Sequence, residues 1–189
     1  DHELNASTFA ARVAVSTGAS LAAAVLAGLC TLSGPLHGNA ASAVFALADH
    51  AEAAGADTAV RIWLGQGRPV PAFGHRLYPG GDIRTAELLA AFEVPPLYRE
   101  LAAVCEALVG ERANVDFALA AITAAFDLPR TAPIAIFALA RIIGWLAHAL
   151  EQSESGTLIR PRARYVGPAP NPADAGAAAP RAHGLMATS

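Results

Sequence analysis

The chain has 189 residues, 13 basic and 16 acidic, for a formal charge of -3. Every basic residue is Arg, which excludes both a Schiff-base lysine and a Walker-type phosphate lysine. The mild acidity, with no basic cluster longer than Arg160 to Arg164, argues against sequence-independent nucleic-acid binding. With 54% hydrophobic and 15% charged residues the chain is rich enough to build a core. A single domain of this length buries roughly 70% of its unfolded surface.

Cys30 and Cys105 lie in Ala/Leu-rich segments without CxxC spacing and read as buried free thiols, which fits a reducing cytoplasm. Asp1-His2-Glu3 has none of the basic-then-apolar character of a secretory signal. The first residue is not Met, so a fragment of a longer chain is expected. No Asp, Glu, Lys or Arg occurs between Arg12 and Asp49. A membrane span needs about 20 apolar residues, whereas Gly18 to Leu32 is broken by Ser, Thr and Gly and stopped by Gly34-Pro35, so a buried core helix is expected.

The pattern is helical almost throughout. A first helix is predicted from Ser7 to Val15, capped by Ser7 or Thr8 and ended by Thr17-Gly18, and a second from Ala19 to Leu32. Leu36-His37-Gly38 is a turn, followed by a helix from Ala40 to Ala54 that Gly55 ends and a short one from Thr58 to Leu64. Gly65 to Gly81 is too rich in Gly and Pro to be helical, yet carries Phe73, His75, Arg76 and Tyr78, the content of a functional loop. Asp82 caps the next helix, which stops before Pro95-Pro96. Leu97, Leu101, Val104, Cys105 and Leu108 form one apolar stripe, Ala113 to Asp116 opens another helix ending near Leu128, and Pro133 begins a long one to Gln152. Ile159 to Gly167 reads as extended, and the last 22 residues as a flexible tail.

Four polar positions stand out. His37, at a turn before a helix, is either an ordinary turn histidine or a neutral donor to an oxyanion. His75 is either an exposed loop histidine or one that backbone-lean Gly74 brings close to a ligand. Asp116 is either a plain N-cap or a carboxylate whose apolar neighbours Val115 and Phe117 suit it to act as a base. Arg141 shares a helix face with Phe137, Trp145 and His148, and a guanidinium there needs an acidic side chain or a bound carboxylate as partner. Zinc-protease spacing and Gly-x-Ser-x-Gly are both missing, so no metal or serine nucleophile is expected. The set suggests acid/base chemistry on a carboxylate-bearing substrate.

Read in order, His2-Glu3-Leu4-Asn5, Gly34-Pro35-Leu36-His37-Gly38, Phe73-Gly74-His75-Arg76, Asp82-Ile83-Arg84, Asn114-Val115-Asp116-Phe117, Ala140-Arg141 with Gly144 to His148, and Arg160-Pro161-Arg162 resemble the citrate synthase family. The resemblance runs to Gly167 and implies an all-α, dimeric, cytoplasmic acyltransferase. It condenses acetyl-CoA with oxaloacetate, then hydrolyses the thioester. No permanently bound cofactor, metal, nucleic acid or membrane is implied; acetyl-CoA is a co-substrate. Asp116 matches the general base, His37 the donor to the thioester oxygen, and His75 the group that polarises the oxaloacetate carbonyl. His2, Arg84, Arg141 and Arg160 match the carboxylate-binding groups, with Arg160 serving the partner subunit's site. By the same analogy residues 1–39 belong to the large domain, 40–119 form the small mobile domain that binds CoA, 120–167 return to the large domain, and 168–189 are tail.

Three positions depart from the family pattern: Asn39 follows His37-Gly38 where Gly is usual, Pro79 stands where a basic residue often lies near the CoA phosphates, and Ile83 replaces a usual Pro. A 2-methylcitrate synthase using propionyl-CoA, or a truncated non-catalytic binding subunit, are the alternatives these leave.

Overall fold

A computed structural model describes residues 4–34, 37 and 40–167. Among these the chain is helical and contains no strand, only an isolated antiparallel bridge between Phe73 and Ala113. The expected all-α class holds. The helices are α1 (Ala6–Ser16), α2 (Leu21–Leu32), α3 (Ala40–Ala54), α4 (Ala56–Gly65), α5 (Ile83–Ala90), α6 (Pro96–Val109), α7 (Val115–Ala125) and α8 (Ala132–Ser155).

Two boundaries differ instructively from the sequence expectation. Asn5, not Ser7 or Thr8, caps α1, its side-chain oxygen accepting from the Thr8 amide, and both hydroxyl residues are buried. Asn114, not Asp116, caps α7 by accepting from the Asp116 amide, so Asp116 falls in the first turn with its carboxylate released from capping. Asp82 caps α5 as expected. The start of α4 at Ala56 precedes the expected Thr58, and α8 continues to Ser155 beyond the expected Gln152.

The buried side chains form two clusters. Helices α1, α2 and α8 contribute Ala11, Val15, Ala24, Leu32, Trp145 and Ala149. Gly28 is the contact that sets their spacing: a Cβ there would stand 2.7 Å from Cδ2 of Trp145, so only glycine lets the indole lie flat on α2. That face of α2 points Ala24, Gly28 and Leu32 inward and turns Cys30 outward, so Cys30 is exposed rather than buried as expected; Cys105 is buried. The second cluster draws on α3, α4, α6 and α7, centred on Leu47, Val60, Leu101 and Phe117. Phe117 meets Phe73 and Tyr98 edge to face at 5.3 and 5.8 Å between centroids.

Residues 160–167 contain no helix or strand and belong to a second unit that begins at Arg160. Of the described helices, α8 is long and apolar enough to cross a membrane by length and composition, while α2, in the uncharged stretch, is only 12 residues long.

Candidate active site

A cavity of about 220 Å³ is lined by His37, His75, Arg84, Asp116 and Arg141 together with Asn5. These residues come from the turn before α3, the Gly/Pro loop, the first turns of α5 and α7, the middle of α8, and the α1 cap. Leu32, Ile134 and Phe137 supply apolar wall. Five of the seven residues singled out in the sequence thus converge, although more than 100 positions separate the first from the last. His2 lies outside the described residues, and Arg160 is an exposed residue of the C-terminal unit.

A short backbone pairing aligns His75 with Asp116. The Gly74 amide donates to Arg112 O at 2.8 Å, the Asn114 amide donates to Ala72 O at 2.9 Å, and Asn114 Nδ2 donates to Gly74 O at 3.0 Å. Gly74 has a φ of +76°, a conformation that calls for glycine, while a Cβ on it would meet only the movable carboxylate of exposed Glu111. The same two segments thereby fix His75 and the start of α7.

Asp82 provides the second tie. Its buried carboxylate accepts from Arg84 Nε (2.9 Å), Arg84 Nη2 (2.7 Å), the Arg84 amide (3.1 Å) and the Val115 amide (3.1 Å), joining α5 to α7 and aiming Arg84. Burial pushes the Asp82 pKa up, but the Arg84 side chain and the two amides outweigh it and hold the group below its ordinary value. Asp116, one residue from that amide, is shifted the other way. Burial raises its pKa, opposed by Arg84, reinforced by Asp82, and opposed again by His75 and His37. Two carboxylates held apart in this manner can divide the labour between a permanent anion and a proton acceptor.

The histidines are oriented by identifiable partners. The Leu77 amide donates to His75 Nδ1 at 3.2 Å, and Arg84 Nη2, also a donor, lies 3.4 Å from Nε2; with Leu77 as the partner of Nδ1, the tautomer bearing hydrogen on Nε2 leaves the Arg84 contact without a hydrogen bond. Tyr78 lies against His75 at 4.9 Å between centroids. His37 Nε2 is 2.9 Å from Ser7 Oγ, whose proton goes to Asn5 Oδ1 (2.8 Å) and which also accepts from Trp145 Nε1 (3.2 Å). A hydroxyl with its proton so engaged meets the ring as an acceptor, so His37 Nε2 carries a hydrogen here. On α8, Arg141 lies with its guanidinium 5.4 Å from the centre of the Phe137 ring, and burial lowers its pKa.

Sequence reasoning gave Asn5, Ser7, Tyr78 and Asn114 no part in the site, although Asn5 and Asn114 stand in the motifs quoted above, Tyr78 in the Gly/Pro loop and Ser7 among the expected caps.

An all-α scaffold here presents to one pocket two histidines, two arginines and a carboxylate whose pKa burial raises, a set suited to acid/base chemistry on an anionic substrate. Residues 1–162 match the model of the citrate synthase C-terminal domain, and the chain belongs to the citrate synthase family. A putative citrate synthase 2 of Mycobacterium tuberculosis is 40% identical over 183 residues, covering 90% of this chain and 49% of that protein. The 2-methylcitrate synthase of Shewanella oneidensis is 36% identical over 182 residues, covering 90% and 48%. Among solved structures, citrate synthase of Thermoplasma acidophilum, in ternary complex with carboxymethyl coenzyme A and oxaloacetate, superposes with a TM-score of 0.72 at 32% identity, covering 90% of this chain and 50% of that one. Citryl-CoA lyase of Hydrogenobacter thermophilus does so with 0.77 at 26% identity, covering 93% and 76%. The chain spans about half the length of the curated relatives it matches.

Proposed function

We propose that this chain supplies the reacting groups of a citrate synthase, an acyltransferase that converts acetyl-CoA, oxaloacetate and water into citrate and CoA. What supports this is the convergence of His37, His75 and Asp116 with Arg84 and Arg141 on one cavity, with Asp116 poised by burial to accept a proton.

In this reading Arg84 and Arg141 hold the oxaloacetate carboxylates. The Nε2–H of His75 polarises its ketone. Asp116 takes a proton from the acetyl methyl group while His37 donates to the thioester oxygen, and the enol carbon then attacks the ketone carbon, whose oxygen gains a proton. Water cleaves the resulting citryl thioester, releasing CoA as the thiol and leaving citrate. Donation from His37 Nδ1 requires the Ser7 hydroxyl to turn from Asn5 toward Nε2, so the tautomer of His37 is coupled to one hydroxyl orientation. His2 and Arg160 complete the carboxylate contacts, Arg160 in the site of a partner in a homodimer. Most of the cluster of α3, α4, α6 and α7 belongs to the small domain, residues 40–119, which closes on substrate over the large-domain segments 1–39 and 120–167, the boundary falling within α7. The reaction is assigned to the cytoplasm.

Appearance of free thiol when acetyl-CoA and oxaloacetate are supplied to the chain joined to the N-terminal half of the Mycobacterium tuberculosis relative tests this reading. Turnover that Asp116→Asn abolishes is expected. Tight oxaloacetate binding without turnover would instead mark a non-catalytic binding subunit. The similarity to the Shewanella oneidensis 2-methylcitrate synthase favours a second acyl donor, and a higher kcat/KM with propionyl-CoA than with acetyl-CoA would assign the chain to it.

A further inference from the structure

Tyr78 is the vertex of two successive turns in the Gly/Pro loop. Its amide donates to His75 O at 3.1 Å, and its own carbonyl accepts from the Gly81 amide at 3.0 Å. The first turn carries the chain back toward the His75 side chain, and the second, closed by Gly81 at a φ of +115°, delivers Asp82 to the cap of α5. The Tyr78 ring consequently meets groups from both segments. It lies 4.9 Å from the His75 imidazole between centroids, at a tilt of 42°, and the Arg84 guanidinium is 5.5 Å from its centre. Both spacings are those of attractive ring–ring and cation–ring contacts. Arg84 Nη2 is in turn 3.4 Å from His75 Nε2, so each of the three side chains adjoins the other two. His75 and Arg84 line the acid/base cavity, whereas Tyr78 is not among its walls.

The hydrogen bonds to His75 and Arg84 leave a freedom that the ring removes. Asp82 grips Arg84 through Nε and Nη2, which fixes one edge of the guanidinium but not its flat face. His75 has the Leu77 amide at Nδ1, and an imidazole held by one hydrogen bond still turns about its outer side-chain torsion, where the energy wells are broad. We propose that Tyr78 is a positioning residue, whose ring face holds the His75 imidazole and the Arg84 guanidinium as one donor pair for adjacent oxygens of a 2-oxo acid, a ketone beside a carboxylate. The two donors make no hydrogen bond to each other, so both are available to such a ligand. The role belongs to the aromatic face, which Phe shares and an aliphatic side chain does not. The use made of the pair rests on the reaction proposed above; the holding of the pair does not.

The test compares Tyr78→Phe, which keeps the ring, with Tyr78→Leu, which keeps apolar bulk without it. Tyr78 belongs to neither hydrophobic cluster, so circular dichroism and Tm of both variants should match the parent. Imidazole nitrogen NMR spectra of the chain, recorded well above the ordinary histidine pKa, are expected to show His75 with its hydrogen on Nε2 in the parent and in Tyr78→Phe. In Tyr78→Leu they should move to the averaged shifts of a mixed tautomer. In the chain joined to the N-terminal half of the Mycobacterium tuberculosis relative, Tyr78→Leu should lower kcat/KM for oxaloacetate about 10–100-fold, through both kcat and KM, at an unchanged KM for acetyl-CoA. Tyr78→Phe should stay near the parent. A purely structural role would reduce the folded fraction and move neither the tautomer nor the oxaloacetate KM. Nuclear Overhauser contacts between the His75 and Tyr78 rings are expected in the parent, and their absence overturns the proposal without any variant. Tyr78→Phe failing as Tyr78→Leu does overturns it as well, as does Tyr78→Leu leaving the His75 tautomer and the oxaloacetate KM as they are in the parent. A parent that turns over no oxaloacetate, while the His75 tautomer still depends on the ring at position 78, strikes the reaction and upholds the positioning.

Discussion

Asp116 and Asp82 are separated by a single amide of α7, and their environments drive them in opposite directions. Asp116 has its pKa raised above 3.8 by burial, so relative to the unfolded chain it stabilises the fold most when protonated, and that contribution is lost as pH rises through the folded pKa. Asp116→Asn should therefore cut kcat by about 10²–10⁴-fold while raising Tm at neutral pH. In calorimetry the Tm gain should vanish below a pH of about 4, where the unfolded carboxyl is also protonated. Asp82 has the opposite sign. Its lowered pKa means that its contribution is present above the unfolded value and disappears as pH falls through the folded one. Asp82→Ala strands the Arg84 guanidinium and should cost about 3 kcal/mol in denaturant unfolding, together with a raised KM for oxaloacetate. Identity of these residues was legible in the motifs. What was not legible is that Asn114 does the capping, because Asn and Asp are near-equivalent caps in sequence and only the helix start decides between them.

Among the elements, α2 and α8 meet where Gly28 faces the Trp145 indole. Gly28→Ala forces a Cβ into the ring, and a loss of about 1–3 kcal/mol is expected despite the better helix propensity of Ala, read from the shift in the urea midpoint at constant slope. Asn5→Ala removes the α1 cap and the acceptor for the Ser7 hydroxyl at once. About 1 kcal/mol of stability should go with the cap, and an unchanged KM with altered kcat would show that Ser7 also orients His37. Helix positions were largely readable from Gly, Pro and the apolar periods. The exposure of Cys30 was not: in a helix this rich in Ala and Leu, nothing in the pattern distinguishes the face that α8 covers.

For the molecule as a whole, the cavity takes Leu32 and Phe137 of the α1/α2/α8 cluster as wall, while its His75 and Asp116 stand within two residues of Phe73 and Phe117 of the other cluster. If the clusters move relative to one another during binding, oxaloacetate should slow hydrogen exchange at the first turns of α5 and α7 more than at Leu101 or Val60, whose amides are already deep in one core. Equal slowing everywhere would point to global stabilisation without closure. All-α character, the absence of lysine chemistry and the choice of the proposed acid/base set follow from the amino-acid sequence, because helix periodicity, turn residues and short motifs are local properties. The meeting of five such residues at one cavity and the opposite shifts of two neighbouring carboxylates do not. They depend on burial and on contacts between segments up to 143 positions apart, such as the Ile159 amide with Ser16 Oγ, and those come into being only when the chain has packed.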